Sequence, residues 1–119
     1  MVKKMKLNML RKIGSLTLVL AFFFNQTAFA LPQVDEVVEG NVTIETPDAN
    51  TMNINVADPQ AIINYSSFDI NANETVNVNL PSSTSEILNR DIGSDMSNIL
   101  GTLNCNGLFI LVNTHGIYV

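Results

Sequence analysis

The sequence predicts an all-β domain that is exported behind a cleavable leader. Two observations predict the fold class: apolar and polar residues alternate with a period of two, and turn-forming residues separate the alternating segments. A third predicts export, because a basic start, an uncharged apolar run and a small-x-small site open the chain. The chain is therefore divided into a signal peptide, residues 1–30, and a body, residues 31–119.

The leader has the three parts of a secretory signal peptide. Met1 to Lys12 is basic, Ile13 to Phe24 carries no charge, and Ala28 and Ala30 form the predicted cleavage site. A membrane anchor is the alternative, but an apolar run of about a dozen residues is shorter than the roughly 20 that span a bilayer. Leu31-Pro32 keeps the chain extended beyond the site, which favours cleavage after Ala30.

The body is strongly acidic. It has one basic residue, Arg90, against eleven acidic residues, which gives a net charge of −10 after Ala30. Nucleic-acid binding depends mainly on Lys and Arg at phosphates, so this composition argues against nucleic acid as a partner. A single Cys105 allows no disulfide within the chain, and a single His115 offers neither a multi-histidine zinc site nor several catalytic bases. The sequence therefore predicts no enzyme, no cofactor and no metal.

Three segments of the body show the strand alternation most clearly. Their alternating apolar positions are Val42 and Ile44; Met52, Ile54 and Val56; and Val76, Val78 and Leu80. Each segment has one apolar and one polar face, as in a half-buried strand. A further strand is predicted from Ile99 through Leu103. Leu108 to Val112 is apolar at every position, which predicts a strand buried on both faces.

Asparagine is unusually frequent in the body. Fourteen of residues 31–119 are Asn, and several lie inside strand patterns, where Asn is normally disfavoured. Asn tolerates sharp corners, and stacked Asn side chains can hydrogen-bond as ladders between strands in register. Both uses suit a coil of parallel strands, but polar surface on a β-sandwich explains the composition equally well. No strict repeat is visible, so the spacing leaves both folds open.

A series of short motifs in chain order favours the coil. The motifs are Leu31-Pro32-Gln33, Gly40 to Ile44, Met52 to Ile54, Ala61 to Ile70, Glu74 to Val78, Ile87 to Arg90, Ile99 to Gly107 and Leu108 to Ile117. In this order they resemble the amino-terminal secretion domain of two-partner secretion exoproteins, the filamentous haemagglutinin family. The resemblance covers nearly all of residues 31–119. The family's Asn-Pro-Asn-Gly-Ile motif is Asn113-Thr114-His115-Gly116-Ile117 here, and its Asn-Pro-Asn-Leu motif is absent.

The resemblance implies a right-handed parallel β-helix, here partial, without a catalytic site. It also implies passage through the Sec translocon into the periplasm, where an outer-membrane β-barrel transporter recognises the unfolded chain through its periplasmic domains. The domain then folds at the cell surface and nucleates the β-helix of an adhesin, haemolysin or contact-dependent toxin, which is secreted or remains surface-associated. Because the family's domain runs past Val119, the chain is expected to be incomplete at the C-terminus, through truncation, gene decay or an incomplete gene model.

Particular residues follow from the resemblance. The candidate recognition or secretion residues are Asn113, Gly116, Ile117, Asn89 and Arg90. The expected β-helix core residues are Ile54, Ile62, Phe68, Val76, Val78, Leu100 and Leu111. A receptor on a host or neighbouring cell is expected to bind the missing C-terminal part. The alternative is a small, complete exported β-sandwich, either pilin-like or a periplasmic binding module.

Three single residues also have structural interpretations. Gly116 is expected to allow positive φ at a corner. Arg90 is expected to pair with Asp91 or Asp95, or else to serve as a docking contact. Cys105 is expected to be a small side chain buried on a strand.

Overall fold

The computed structural model describes residues 30–119, which contain ten β-strands and no helix. The strands are β1 (Gln33–Glu39), β2 (Val42–Asp48), β3 (Thr51–Val56), β4 (Gln60–Ser67), β5 (Thr75–Asn79), β6 (Glu86–Asp91), β7 (Ser97–Asn98), β8 (Thr102–Cys105), β9 (Leu108–Asn113) and β10 (Ile117–Tyr118). The predicted signal peptide lies outside the described residues except for Ala30. Within the described part, no helix is long and apolar enough to cross a membrane.

Eight of these strands wind into three stacked coils. The first coil contains β3, β4 and the single residue Ile70, the second contains β5, β6 and β7, and the third contains β8, β9 and β10. Equivalent strands pair in parallel: β3 with β5 and β8, β4 with β6 and β9, and β7 with β10. A parallel bridge between Ile70 and Ile99 completes the third side. The predicted all-β coil is therefore confirmed, and the alternative β-sandwich, a fold of antiparallel sheets, is wrong.

The two remaining strands cap the first coil. β1 pairs antiparallel with β4, and β2 pairs antiparallel with β3, so both sheets begin with an antiparallel cap strand. The pairing of β1 shifts register three times along its length. Such irregularities bend an edge strand, and they remove the strict alternation by which a strand is recognised in a sequence. β1 was accordingly not predicted as a strand.

Inward-facing aliphatic and aromatic side chains fill the coil. The buried core includes Met52, Ile54, Val56, Ala61, Ile63, Tyr65, Phe68, Ile70, Val76, Val78, Leu80, Ile87 and Ile99. Phe68 packs edge-on against Tyr65 with ring centroids 4.9 Å apart, and its ring lies 6.0 Å from that of Phe109 in the third coil. Leu111 and Cys105, also in the third coil, are half-buried and pack against this core.

Two residues expected in the core lie elsewhere. Ile62 faces outward and is half-buried, because its neighbours Ala61 and Ile63 occupy the inward positions of β4. Leu100 is 53% exposed. It lies at the corner between the second and third coils, where its amide donates to the carbonyl of Ile70.

Two strand predictions need correction. The strand predicted from Ile99 through Leu103 is broken at Leu100 and Gly101, and β8 begins only at Thr102. A Cβ on Gly101 would lie 2.1 Å from the carbonyl oxygen of Asn71, so only glycine fits this corner. The strand predicted at Leu108 to Val112 exists, but its outward face is exposed in the described structure rather than buried.

Candidate functional site

Asn113, the first residue of the altered motif, ends β9 in a polar cluster that joins all three coils. We call Phe68, Asp91, Gly93, Ser97 and Asn113 the Asp91 cluster. Asp91 Oδ2 accepts hydrogen bonds from the backbone N–H of Phe68 (2.9 Å), the hydroxyl of Ser97 (2.7 Å) and Nδ2 of Asn113 (3.1 Å). Asp91 Oδ1 accepts from the backbone N–H of Gly93 (3.0 Å). The carboxylate therefore binds donors from the first, second and third coils.

The strand register explains why these groups meet. Tyr65, Asp91 and Asn113 occupy the same inward position on β4, β6 and β9. Asp91 is 6% exposed and Ser97 is fully buried, so each donor to the carboxylate replaces a hydrogen bond to water. A buried carboxylate with several donors is stable only while those donors stay in place. The Asp91 cluster thus depends on correct stacking of all three coils.

Asn113 also fixes the corner that follows it. Its Oδ1 accepts from the backbone N–H of His115 at 2.8 Å, and its carbonyl accepts from the N–H of Gly116 at 3.2 Å. Gly116 has φ = +108°, a backbone conformation that side-chain-bearing residues rarely adopt. The carbonyl of Gly116 then accepts from Ser97 N–H, and Ile117 begins β10 beside Ser97. The motif therefore forms a corner even without its proline.

Asn89 lies in the interior rather than on the surface. Its Oδ1 accepts from the Tyr65 hydroxyl at 2.7 Å, and its Nδ2 donates to the Ile110 carbonyl at 3.1 Å. Asn89 is fully buried, so in the folded domain these internal contacts are its role. Burial also raises the pKa of the Tyr65 hydroxyl, which keeps the donor to Asn89 protonated.

Arg90 faces outward on β6, and its contact differs from the expected ion pair. Its Nε donates to Asn64 Oδ1 on β4 at 2.8 Å. Asp91 cannot be its partner because strand alternation turns Asp91 inward to its own donors. The expected pairing of Arg90 with Asp91 or Asp95 is therefore replaced by a bond to a neutral amide of the coil before it.

The outer face of the sheet formed by β2, β3, β5 and β8 carries the asparagine ladder that composition suggested. Asn77 Nδ2 donates to Asn53 Oδ1 at 3.0 Å, and Asn104 Nδ2 donates to Asn77 Oδ1 at 2.9 Å. A second, shorter ladder joins Asn79 to Asn55 at 2.9 Å. We call Asn53, Asn77 and Asn104 the Asn ladder. It ends at β8, which is the last strand of its sheet in the described residues.

Sequence reasoning missed the partners of the motif. Asp91 and Ser97 were not identified as site residues, although Asp91 ends an alternating run, Ile87 to Asp91, in which Asn89 and Asp91 fall on the same face as Ile87. Polar residues at inward positions are the signal that could have identified the cluster. The signal is weak, because polar residues on the outward face of a strand give the same sequence pattern when it is not known which face points inward.

The groups that meet at this site are mainly backbone N–H and carbonyl groups and side-chain amides. No group of three or more His, Cys, Asp or Glu side chains in the described residues is placed to hold a metal ion. His115 is exposed at the corner, and its backbone N–H, donating to Asn113, is the group engaged there. Cys105 is a free, half-buried thiol facing inward on β8.

Comparison with known proteins places this geometry among secretion domains. The TPS (two-partner secretion) secretion domain family matches residues 28–119. The crystal structure of the HMW1 secretion domain from Haemophilus influenzae superposes with a TM-score of 0.67 at 34% identity, covering 72% of this chain and 23% of that chain. Two heme/hemopexin-binding proteins of Haemophilus influenzae are 32% and 31% identical in alignments of 112 positions that cover 91% of this chain. This chain spans 12% of the length of those two relatives.

Proposed function

We propose, since this chain belongs to the TPS secretion domain family, that residues 31–119 direct a longer exoprotein through a dedicated outer-membrane β-barrel transporter. The observation that supports this most strongly is the family match across residues 28–119. The described coil, in which each sheet begins with an antiparallel cap strand, suits a domain that begins a β-helix. Proteins of this family are secreted across the outer membrane, and the family is one of secretion-targeting rather than enzymatic domains.

The route to the transporter includes steps that are part of the proposal. Residues 1–30 act as a signal peptide for the Sec translocon and are removed after Ala30. The body then crosses the periplasm unfolded and meets the periplasmic domains of the transporter. An extended chain can add as a strand to the edge of a partner's sheet, which gives affinity through backbone hydrogen bonds. Its net charge of −10 favours a basic groove beside that edge.

The candidate motif residues divide between recognition and folding. Asn89 is buried and Asn113 is engaged in the Asp91 cluster, so in the folded domain both serve the coil. Arg90 and Ile117 have exposed surface. We propose that the transporter reads these four residues and Gly116 while the chain is extended, and that Asn89 and Asn113 act again when the coil closes outside the cell.

A binding experiment tests recognition. The chain, held unfolded in urea and then diluted onto immobilised periplasmic domains of a two-partner transporter, should be retained above a control peptide of the same composition in scrambled order. A matched pair separates the two roles of the motif: Asn113→Ala and Arg90→Ala should both reduce retention of the unfolded chain, but Asn113→Ala should destabilise the folded coil much more than Arg90→Ala, which loses one partly exposed hydrogen bond to Asn64. Retention no greater than that of the scrambled peptide would rule out the proposal.

A secretion assay tests the pathway as a whole. The chain is expressed with a two-partner transporter, and the protein is measured in the medium and in the periplasm. Export to the medium should require the transporter, and removal of residues 1–30 should leave the chain in the cytoplasm. A chain that reaches the medium equally well without the transporter would contradict the assignment.

The larger protein's activity is a separate proposal. The chain spans 12% of its curated relatives, which leaves ample room for an adhesin, haemolysin or toxin region behind the secretion domain. We propose an exoprotein of the adhesin, haemolysin or contact-dependent toxin type, whose surface receptor is bound by that further region. A longer reading frame encoding β-helix repeats beside a gene for an outer-membrane barrel would support this.

A further inference from the structure

The corner between β8 and β9 is closed by the side chain of Asn106. Its Oδ1 accepts from the backbone N–H of Leu80 at 2.7 Å, and its Nδ2 donates to the carbonyl of Leu80 at 2.8 Å. The parallel pairing of β5 with β8 ends at Val78 and Cys105, so the side-chain amide continues the ladder where the backbone pairing stops. Leu80 is buried, and the amide of Asn106 satisfies both of its backbone polar groups.

The residue after Asn106 is also fixed by packing. A Cβ on Gly107 would lie 2.6 Å from the carbonyl oxygen of Ser85, so only glycine fits beside that carbonyl. At position 106 a short side chain must both donate and accept, which an Asn amide does, whereas an ionised Asp only accepts. The folded corner therefore favours Asn followed directly by Gly.

Asn followed by Gly is also the dipeptide in which an asparagine amide is most readily lost, because glycine has no side chain to obstruct attack by its own backbone nitrogen. The nitrogen of Gly107 forms a bond to Cγ of Asn106, the bond from Cγ to Nδ2 breaks, and Nδ2 leaves as ammonia with the proton of the attacking nitrogen. Water then opens the five-membered imide to Asp or to isoaspartate, in which the main chain runs through Cγ. Of the fourteen Asn after Ala30, only Asn106 precedes a glycine.

The folded corner opposes this reaction. Attack on Cγ requires the amide of Asn106 to turn toward the nitrogen of Gly107, and both hydrogen bonds to Leu80 are then lost. The group that must leave, Nδ2, is the one bonded to the Leu80 carbonyl. Cyclisation in the folded chain therefore has to wait for the corner to open, whereas in an unfolded chain these bonds do not hold the amide.

The products of the reaction cannot replace Asn106. Aspartate at this position can still accept from the Leu80 N–H, but it places a carboxylate against the Leu80 carbonyl, which then loses its donor. Isoaspartate adds one carbon atom to the main chain between β8 and β9, which displaces Gly107 from the space beside the Ser85 carbonyl. Either product therefore weakens closure of the third coil.

We propose that Asn106-Gly107 is a deamidation site of the unfolded chain and that folding protects it. The reacting group is the asparagine side chain, and water is the co-reactant. A chain that folds promptly keeps Asn106 and closes its third coil, while a chain that waits unfolded loses the amide and folds less stably. The periplasmic stage of this inference rests on the proposed function, but the chemistry of the corner does not.

The site is tested on the chain held in guanidinium chloride and in buffer at the same mildly alkaline pH. Because Arg90 is the only basic residue after Ala30, trypsin releases residues 91–119 as one peptide, in which mass spectrometry locates each deamidated residue. Asn106 should react at least about tenfold faster in the unfolded chain than in the folded chain. The other asparagines of this peptide are internal controls and should react more slowly.

Gly107→Ala is compared in guanidinium chloride, so that its effect on folding plays no part. It should slow the loss of the Asn106 amide severalfold, because the added methyl group obstructs the attacking nitrogen. Equal rates in the folded and unfolded parent chain would overturn protection by the corner. Loss at Asn106 no faster than at Asn104 in the unfolded chain would overturn the site itself.

The effect of the product is tested with Asn106→Asp. This variant should lower the folding equilibrium constant about tenfold, measured by urea titration. Asn104→Asp is the matched control, because it adds the same charge two residues earlier, in the exposed Asn ladder, and it should cost clearly less. Equal costs would mean that added charge, rather than the contact with Leu80, decides the outcome, and would overturn the proposed consequence.

In cells, the periplasmic and secreted pools of the secretion assay are compared through the same peptide. The pool that waits in the periplasm should contain a larger fraction of Asp and isoaspartate at position 106 than the pool in the medium. Equal fractions, with export still dependent on the transporter, would overturn the effect on waiting chains and leave the proposed function intact. Export that is independent of the transporter would contradict the proposed function, while the rates measured on the purified chain would stand.

Discussion

At the scale of single residues, Asp91 shows how a charged side chain can hold an apolar coil together. Alternation along β6 places it inside, where an unpaired carboxylate would be strongly destabilising. Four donors offset that cost, and they come from segments as distant as Phe68 and Asn113. The altered motif keeps the one residue, Asn113, whose amide reaches this carboxylate.

Removal of the Asp91 carboxylate should therefore be among the most damaging substitutions. Asp91→Ala leaves the Phe68 N–H, the Gly93 N–H and the Ser97 hydroxyl without their acceptor, and we expect the free energy of unfolding to fall by about 3–5 kcal/mol. Urea titration followed by circular dichroism measures it. Asp95→Ala is the control, because the Asp95 side chain is exposed, and it should change stability by less than about 0.5 kcal/mol. Similar values for the two variants would contradict the role given to Asp91.

Because the Tyr65 hydroxyl is buried, we expect the folded domain to lose stability at alkaline pH. Burial raises its folded pKa above the ordinary value, so its contribution is complete below about pH 10, the unfolded value, and is lost as pH rises toward the folded pKa. Above pH 10 the free energy of unfolding should fall by about 1.4 kcal/mol per pH unit. Urea midpoints between pH 8 and about 11.5 measure the slope.

Substitution of each tyrosine separates this effect from general alkaline damage. Tyr65→Phe should remove the slope while lowering stability at neutral pH, since Asn89 Oδ1 then loses its donor. Tyr118→Phe should leave the slope in place, because Tyr118 is 59% exposed. An unchanged slope in Tyr65→Phe would assign the alkaline loss to another group.

At the scale of elements, β9 differs from the strands stacked before it. Its outward residues Leu108, Ile110 and Val112 are 53%, 40% and 44% exposed, whereas β6 carries Glu86 and Arg90 at two of the same positions. An exposed apolar strand that is also the edge of its sheet in the described residues favours association with other chains.

Opposite faces of β9 should therefore respond differently to the same change. Ile110→Thr keeps a β-branched side chain on the outward face, and we expect less self-association with stability changed by under about 1 kcal/mol. Leu111→Thr places a hydroxyl on the inward face and should cost about 2 kcal/mol or more. Sedimentation velocity measures association, and urea titration measures stability. Greater destabilisation by Ile110→Thr would mean that the faces are assigned the wrong way round.

How far an element could be predicted from sequence depends on whether its two faces differ in polarity. β3 and β5 were predicted because their inward positions are apolar and their outward positions are mostly Asn. β9 has no polar face, so the pattern could not distinguish a covered from an exposed side. β1 was missed because its register shifts remove the alternation.

The candidate site divides in the same way. Asn113 and Gly116 were identified because they belong to a contiguous motif. Asp91 lies 22 residues earlier, and its contact with Asn113 depends on the length of one complete coil. That length is not constant, since 24 residues separate Asn77 from Asn53 but 27 separate Asn104 from Asn77. Contacts between coils therefore have no fixed spacing in the sequence.

At the scale of the whole molecule, the acidic composition has a structural use. Several carboxylates accept backbone N–H groups at corners and caps, where the chain leaves its ladders. Asp48 accepts from Asn50, Asp58 from Asn41, Asp69 from Asn98 and Glu74 from Asn71. Asp91 accepts from both Phe68 and Gly93. Five of the eleven acids thus serve as hydrogen-bond acceptors for the backbone, and their negative charges are not balanced by basic residues in the body.

Salt should consequently stabilise the folded chain. With one basic residue against eleven acids after Ala30, folding brings like charges together, and added ions screen them over a Debye length of about 10 Å at 0.1 M. We expect the free energy of unfolding to rise by about 1 kcal/mol between about 10 and 300 mM NaCl, measured by urea titration. The double variant Asp35→Asn with Asp95→Asn removes two exposed charges and should show a smaller rise. A midpoint that falls with salt would mean that attraction between charges, rather than repulsion, dominates the folded state.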